Sequence, residues 1–449
     1  MSRMFGTDGV RGIANSQLTS KMAYELGRAG AYCLTDEVHN AKILIGRDTR
    51  ASGDMLESAL IAGICSVGAE AVVATNTLPT SAVAYLTREM GFDAGVMISA
   101  SHNTVEYNGI KFFNGSGYKL ADEIEDRIEA IINSGMEAVP RPVGNKIGRL
   151  VRLKKATQEY IDYMVGTTEE TFEGLKVVLD CANGAASEAA PWIFKLLGAE
   201  VIPYYNMPDG NNINDNCGST HPEQLSRLVP EMGADLGLAF DGDADRLIAV
   251  DEHGNIVDGD KIMAICAMDL KKRGKLKKDT LVATVMSNMG VEVSLKKAGI
   301  NFLRTDVGDR YVLEKMLAEG YNLGGEQSGH IIFLDDNTTG DGILSGIQLI
   351  SAIKREGKAL SRLARRVDIY PQVLVNARVS DDKKYGFKDD SEIVKAIEVL
   401  NGRFGGEGRV LIRTSGTEPL VRVMIEGRDH AEITKEAVAL AKLIEQRLG

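Results

Sequence analysis

Asp241, Asp243 and Asp245 alternate with small residues in the run Asp241-Gly242-Asp243-Ala244-Asp245-Arg246. In a turn, this spacing can aim three carboxylates at one point. Such a cluster is costly unless a cation neutralises it. Hard oxygen ligands together with an incoming phosphate favour Mg²⁺. A calcium loop flanked by helices is the rival reading, because Glu252 falls at its twelfth position. That loop wants glycine where Arg246 stands, and the flanks here are strand-like.

Three further runs carry groups that bind or move phosphate. Ser99-Ala100-Ser101-His102-Asn103 follows an apolar run, which leaves a serine exposed enough to act as nucleophile or phosphate carrier. There is no G-x-S-x-G elbow, so hydrolase chemistry is not indicated. By itself, a serine that satisfies its own turn is the plainer reading of this loop. Arg413-Thr414-Ser415-Gly416-Thr417 offers a guanidinium, hydroxyls and a turn that glycine permits, with Arg422 as a second cation. Those are the parts of a phosphate cradle, and also those of a tight hairpin turn. In Gly325-Glu326-Gln327-Ser328-Gly329-His330, Glu326, Gln327 and Ser328 suit the hydroxyls of a sugar. The His330 imidazole suits a phosphate or a proton. Arg11 in Gly9-Val10-Arg11-Gly12 and Arg50 in Asp48-Thr49-Arg50 occupy turns where arginines are usually solvated surface groups.

The elements that must hold these loops repeat three times. Short apolar runs at Lys42–Gly46, Lys176–Asp180 and Leu281–Val285 are each followed by an amphipathic stretch. The first stretch, Met55–Val67, puts Leu56, Ala59, Leu60, Gly63 and Val67 on one helical face. Gly68, Gly198 and Gly299 stand where helix C-caps fall. A second strand follows each, at Glu70–Ala74, Glu200–Pro203 and Ile300–Arg304. A third strand, Ala94–Ile98, Leu236–Phe240 or Asn322–Gly324, enters the serine, aspartate or glutamate loop. Another β-rich run leaves it, Ile110–Phe113, Leu247–Val250 or Ile331–Leu334. This order predicts three related α/β domains with largely parallel sheets, whose ligands gather at the carboxyl ends of strands. The last ~80 residues break the pattern. They read as strand Val373–Val379, helix Glu392–Leu400, strands Arg409–Arg413 and Leu420–Glu426, and helix Ala431–Arg447, a smaller α+β domain. The expected domains are 1–153, 154–254, 255–367 and 368–449, with a hinge around Arg365–Gln372.

Composition agrees with a globular protein: 449 residues, 44% apolar and 26% charged, enough for roughly three or four domains. A net charge of -11 argues against a nucleic-acid partner. Five scattered cysteines, with no CxxC pair, suit reduced thiols. The first residues lack the apolar core of a signal peptide, and no apolar run of about 18 residues occurs. A cytoplasmic protein without membrane contact is expected.

Taken in order, SASHN with NGIKFF, then DGDADR, GEQSGH and RTSGTEP resemble the α-D-phosphohexomutase family. The resemblance runs from Phe5-Gly6-Thr7-Asp8-Gly9 to the C-terminal domain. It implies four domains around a cleft, the first three alike. It implies that Ser101 is phosphorylated and joins Asp241, Asp243 and Asp245 around one Mg²⁺. It also implies that Arg246, Arg11 and His102 lie near the transferring group, with Lys111 as candidate general acid or base. Glu326, Ser328 and His330 would meet the sugar. Arg413, Ser415, Gly416, Thr417 and Arg422 would hold the phosphate that is not reacting.

The expected reaction interconverts the 6- and 1-phosphates of glucosamine through a phosphoserine enzyme. A 1,6-bisphosphate serves as intermediate and activator, and the assembly expected is a homodimer. The alternatives are the same reaction on glucose or mannose phosphates, with Gln327 the suspected selector, or a silent sugar-phosphate sensor. Two positions depart from the family's pattern. Thr104 replaces a usual proline, and a histidine found near Asp309 in some glucose- or mannose-phosphate relatives is missing. The first is expected to loosen the serine loop, and the second favours glucosamine phosphates.

Overall fold

The computed structural model describes residues 3–6, 8–34, 41–137, 139–414 and 419–449. Each repeat begins with a strand, a helix and a second strand. These are Lys42–Arg47, Ser52–Ser66 and Glu70–Ala74, then Lys176–Asp180, Ala186–Leu196 and Glu200–Tyr204, then Thr280–Thr284, Met289–Lys297 and Asn301–Thr305. The first two strand pairs are parallel. Ile43, Leu44 and Ile45 are all fully buried, as a strand covered on both faces requires. Each such side chain contributes roughly 1.5–3 kcal/mol by leaving water.

The glycines expected as caps do that work in all three repeats. Gly68, Gly198 and Gly299 have φ of 95°, 101° and 72°. Their N–H groups return to the carbonyls of Cys65, Lys195 and Lys296. A side chain at such a φ would be strained, so glycine ends each helix and turns the chain into the next strand.

The strand that enters each reactive loop pairs antiparallel with the strand that leaves it. Ala94–Ile98 pairs with Tyr107–Asn114, Leu236–Phe240 with Leu247–Asp251, and Leu323–Gly325 with Ile331–Phe333. The serine, aspartate and glutamate loops are therefore the tips of three β-hairpins, each built on the edge of a parallel core. The first sheet runs Val10–Ile13, Tyr107–Asn114, Ala94–Ile98, Lys42–Arg47, Glu70–Ala74, Leu150–Leu153. Its outermost strands, Val10–Ile13 and Leu150–Leu153, were not legible in the pattern. They are short, and Leu150 and Val151 are exposed.

The C-terminal sheet has three antiparallel strands in the order Gln372–Arg378, Leu420–Gly427, Gly408–Thr414. Two helices accompany it, Ser391–Phe404 and His430–Leu448. Each starts on an aspartate, Asp390 or Asp429, whose carboxylate accepts two N–H groups of the first turn. The chain packs as two units. One runs to Met286 and includes Leu303–Ala364, and the other comprises Ser287–Phe302 and Arg365–Gly449. No helix among the described residues is long and apolar enough to cross a membrane.

Helices Ser20–Leu34 and Ser52–Ser66 approach closely through glycine. A Cβ on Gly63 would stand 2.2 Å from the Tyr24 carbonyl oxygen. Alanine in an exposed helix would gain about 1 kcal/mol over glycine. Overpacking a tight contact costs roughly 1–3 kcal/mol. Gly63→Ala is therefore expected to lower the midpoint of urea unfolding, and a raised midpoint would show that the helices separate freely.

Candidate active site

The serine and aspartate hairpins meet tip to tip. Ser101 Oγ donates to Asp241 Oδ2 at 2.6 Å. A Cβ on Gly242 would lie only 2.5 Å from the Ser101 carbonyl oxygen, so the two backbones are in contact. Ser101 itself has φ of 52°, the left-handed region, which costs a residue with a side chain roughly 1–3 kcal/mol. His102 Nδ1 lies 3.3 Å from the same hydroxyl. Burial, with Arg246 and Arg11 nearby, lowers the pKa of His102, so its ring is neutral at neutral pH.

One ligand atom from each of Asp241, Asp243 and Asp245 lies within 4.8 Å of the other two. All three residues are buried. Burial, with Asp245 and Asp243 alongside, pushes Asp241 well above the usual carboxylate range. Burial and Asp245 also oppose charge on Asp243, but the Lys111 ammonium at 2.7 Å and the Thr80 hydroxyl at 2.6 Å hold its pKa down. Burial opposes charge on Asp245 as well, and His330, Lys111 and Arg246 more than offset it. Asp243 Oδ1 and Asp245 Oδ1 are buried and accept no hydrogen bond among the described residues. A crowd of buried carboxylate oxygens, two of them unsatisfied, fits a small divalent cation.

The glutamate hairpin docks beside the aspartate tip. Leu247 N–H donates to the Gly329 carbonyl at 3.0 Å, and Arg246 and His330 form a backbone bridge. His330 is buried between carboxylates. Its Nδ1 lies 3.5 Å from Asp245 Oδ2 and its Nε2 3.3 Å from Asp309 Oδ2. When neutral, the ring accepts from Gly340 N–H at Nε2 and carries its hydrogen on Nδ1, toward Asp245; burial works against its charge, but Asp245 and Asp309 raise its pKa and favour the imidazolium. Asp309 also pairs with Lys119, whose Nζ is 2.9 Å from Asp8 Oδ1. Asp8 in turn pairs with Arg11 at 3.2 Å. Signs alternate along Arg11, Asp8, Lys119, Asp309, His330, Asp245 and Lys111.

Ser101, His102, Lys111, Arg11, Arg246, His330 and the three aspartates thus share one region. Glu326 is half-buried and accepts from Gly308 N–H at 3.1 Å, while Ser328 is exposed. Gln327, the suspected selector, spends its amide on Asp258 at 3.1 Å. Arg413 and Arg422 face each other across two antiparallel strands, both exposed. Ser415, Gly416 and Thr417 lie outside the described residues. Thr104 does not leave its loop untethered, since its carbonyl accepts from Tyr107 N–H and from Arg50. Arg50, expected in solvent, is fully buried. Thr80, Lys119 and Asn214 were missed. No local pattern marks any of the three.

Sequence models of one family's four domains match the chain in order. The phosphoglucomutase/phosphomannomutase alpha/beta/alpha domain I model covers residues 2–139, domain II 158–254, domain III 258–370 and the C-terminal domain 374–443. The chain belongs to this family, the α-D-phosphohexomutases, and has three α/β domains and a smaller C-terminal one. Within it, the chain is 60% identical to phosphoglucosamine mutase of Thermoanaerobacter sp. (strain X514) over 449 residues, all of both chains. The fold matches a phosphoglucomutase/phosphomannomutase family protein from Burkholderia thailandensis, with TM-score 0.79, 24% identity and 98% of each chain covered. It also matches Aspergillus fumigatus N-acetylphosphoglucosamine mutase in complex with GlcNAc-6P and magnesium. That match has TM-score 0.65 and 17% identity over 99% of this chain and 96% of that one.

Asp243→Asn removes one charge from the cluster and leaves its shape. It should weaken Mg²⁺ binding, read by calorimetry, by more than the roughly tenfold that loss of a supporting group costs. Unchanged affinity would take Asp243 out of the cation site.

Proposed function

We propose that this phosphohexomutase interconverts glucosamine 6-phosphate and glucosamine 1-phosphate, with Ser101 as the phosphate carrier. The observation that carries the reading is the Ser101 hydroxyl bonded at 2.6 Å to Asp241 of a buried three-aspartate cluster. The full-length likeness to phosphoglucosamine mutases supports the choice of sugar. Asp241, Asp243 and Asp245 would hold Mg²⁺, joined by an oxygen of the phosphorylated serine. When bound, the ion offsets the charge of the transferring phosphoryl group.

The protein's own groups do the rest by position and charge. In the first half-reaction, the free sugar hydroxyl attacks the phosphorus of phosphoserine. In net, the hydroxyl's proton passes to Ser101 Oγ, which leaves as a hydroxyl, giving the hexosamine 1,6-bisphosphate. In the second, Ser101 Oγ attacks the other phosphate of that bisphosphate. His102, neutral and 3.3 Å from Oγ, is within reach of the proton Oγ must lose. By microscopic reversibility it returns that proton when Oγ is the leaving group. Lys111 is held as an ammonium: burial works against its charge, but Asp243 and Asp245 raise its pKa. Together with Arg246 and Arg11 it would face the phosphoryl oxygens.

Glu326 and Ser328 are our candidates for the sugar hydroxyls. The Arg413–Thr417 run with Arg422 is the candidate grip for the phosphate that is not reacting. Such a grip reads a phosphate rather than a ring, so it tolerates either orientation of the sugar. A bisphosphate would prime Ser101, and a cytoplasmic homodimer completes the proposal.

A side-by-side assay tests it. With Mg²⁺ and a trace of hexose 1,6-bisphosphate, glucosamine phosphates should show a kcat/KM well above those of glucose and mannose phosphates. A preference for glucose or mannose phosphate would keep the chemistry and move the substrate. Ser101→Ala should abolish turnover and keep sugar-phosphate binding. Substantial turnover by that variant would remove Ser101 as the carrier.

A further inference from the structure

The Ser101 backbone holds its left-handed conformation only because neighbours over-determine it. Arg50 is the main one. Fully buried, it donates Nε to Asp48 Oδ2 at 2.9 Å. Nη2 donates to the carbonyls of Ser101 at 3.0 Å and Asn103 at 2.8 Å. Nη1 donates to those of Thr104 at 2.5 Å and Tyr107 at 3.0 Å. One guanidinium thus ties four carbonyls of the serine loop.

The second grip comes from the next domain. Asn214 Nδ2 donates to the same Ser101 and Asn103 carbonyls, at 2.8 and 2.9 Å. Asp48 closes the circuit: it accepts from the Ser99 hydroxyl at 2.6 Å, and Ser99 Oγ accepts from Ser101 N–H at 3.0 Å. Arg50 and Asn214 bond to loop carbonyls, leaving the Ser101 hydroxyl turned to Asp241.

We infer that Arg50 and Asn214 are positioning residues for phosphoryl transfer, fixing Ser101 Oγ at one point whether or not it carries phosphate. The inference rests on Ser101 being the carrier. Transfer in both directions needs that fixity. The oxygen that gives up the phosphoryl group in one half-reaction must reclaim another from a sugar held in the same place. A planar fork with several fixed donors can tie four carbonyls, and a lysine ammonium with three donors cannot. The same fork holds the Thr104 carbonyl, a conformational restraint where the family's usual proline ring is missing.

Two variants test the clamp. Asn214 has φ of 57°, so Asn214→Gly keeps its backbone and deletes both hydrogen bonds. Arg50→Lys keeps the charge beside Asp48 and loses most of the tethers. Rapid-quench single turnover from phosphoserine enzyme to glucosamine phosphate is run beside KM and the rate of phosphoserine hydrolysis. Rates are normalised to phosphoserine-loaded, folded enzyme. The expected result is a transfer rate lower by about 10–100-fold, since a small misplacement costs that much. KM should stay within about twofold, because uniform binding is untouched. The share of phosphate lost to water should rise. An unchanged transfer rate in Asn214→Gly overturns the inference, as does a rise in KM with no fall in rate. If Arg50→Lys does not fold, Asn214→Gly decides alone. Ser101→Ala is assayed in parallel: residual turnover there overturns the carrier reading itself, whereas failure of the clamp leaves that variant inactive.

Discussion

Buried carboxylates gathered within 4.8 Å of one another cannot all stay ionised unless positive charge is brought to them. Asp241, Asp243 and Asp245 set that condition, and much of the larger unit answers it. Lys111 comes from the strand leaving the serine tip, Arg246 from the aspartate loop and His330 from the glutamate loop. Behind them, Asp309 and Asp8 balance His330, Lys119 and Arg11 in turn. The aspartate loop supplies one balancing cation itself, Arg246, and the others come from separate segments, so the balance is complete only when those segments have met. Charge balance, more than any one contact, ties the serine hairpin to the two hairpins beside it.

The hairpin tips explain how three similar units come to hold unlike chemistry. A parallel strand core with a glycine-capped helix supplies the same platform each time. The antiparallel return strand then fixes the loop at a set register: Ile98 opposite Ile110, Phe240 opposite Leu247, Gly325 opposite Ile331. A tip pinned on both sides can present a serine, three aspartates or a glutamate without altering the platform. The C-terminal unit solves a different problem. Its sheet sets Arg413 opposite Arg422 on two antiparallel strands, with both side chains exposed.

Much of this was legible in the sequence, for reasons that can be named. Strands buried on both faces leave apolar runs such as Ile43–Ile45, and helix ends leave glycines, so the repeat could be read directly. Asp241, Asp243 and Asp245 are close in sequence, and local spacing announced their cluster. What stayed hidden is contact across long separations. Thr80 reaches Asp243 across 163 residues, and Asn214 reaches the Ser101 carbonyl across 113. Arg50 misled for a related reason. An arginine in a turn is usually solvated, and only the fold shows that the carbonyls of residues 101–107 wrap around this one. Gln327 was suspected as a sugar contact from its neighbours, and the bond from its Nε2 to Asp258, at the start of the helix Gly259–Lys272, is another contact that local sequence does not announce.

The contact between the Gly242 and Ser101 backbones has a further consequence. With 2.5 Å between a notional Cβ and a carbonyl oxygen, the aspartate tip has no room for one more carbon at Gly242 unless the serine tip withdraws. The carrier loop and the cation loop therefore cannot drift apart as independent modules. Any heritable change in the outline of one must be matched in the other, so two stretches far apart in the chain are bound to a joint history.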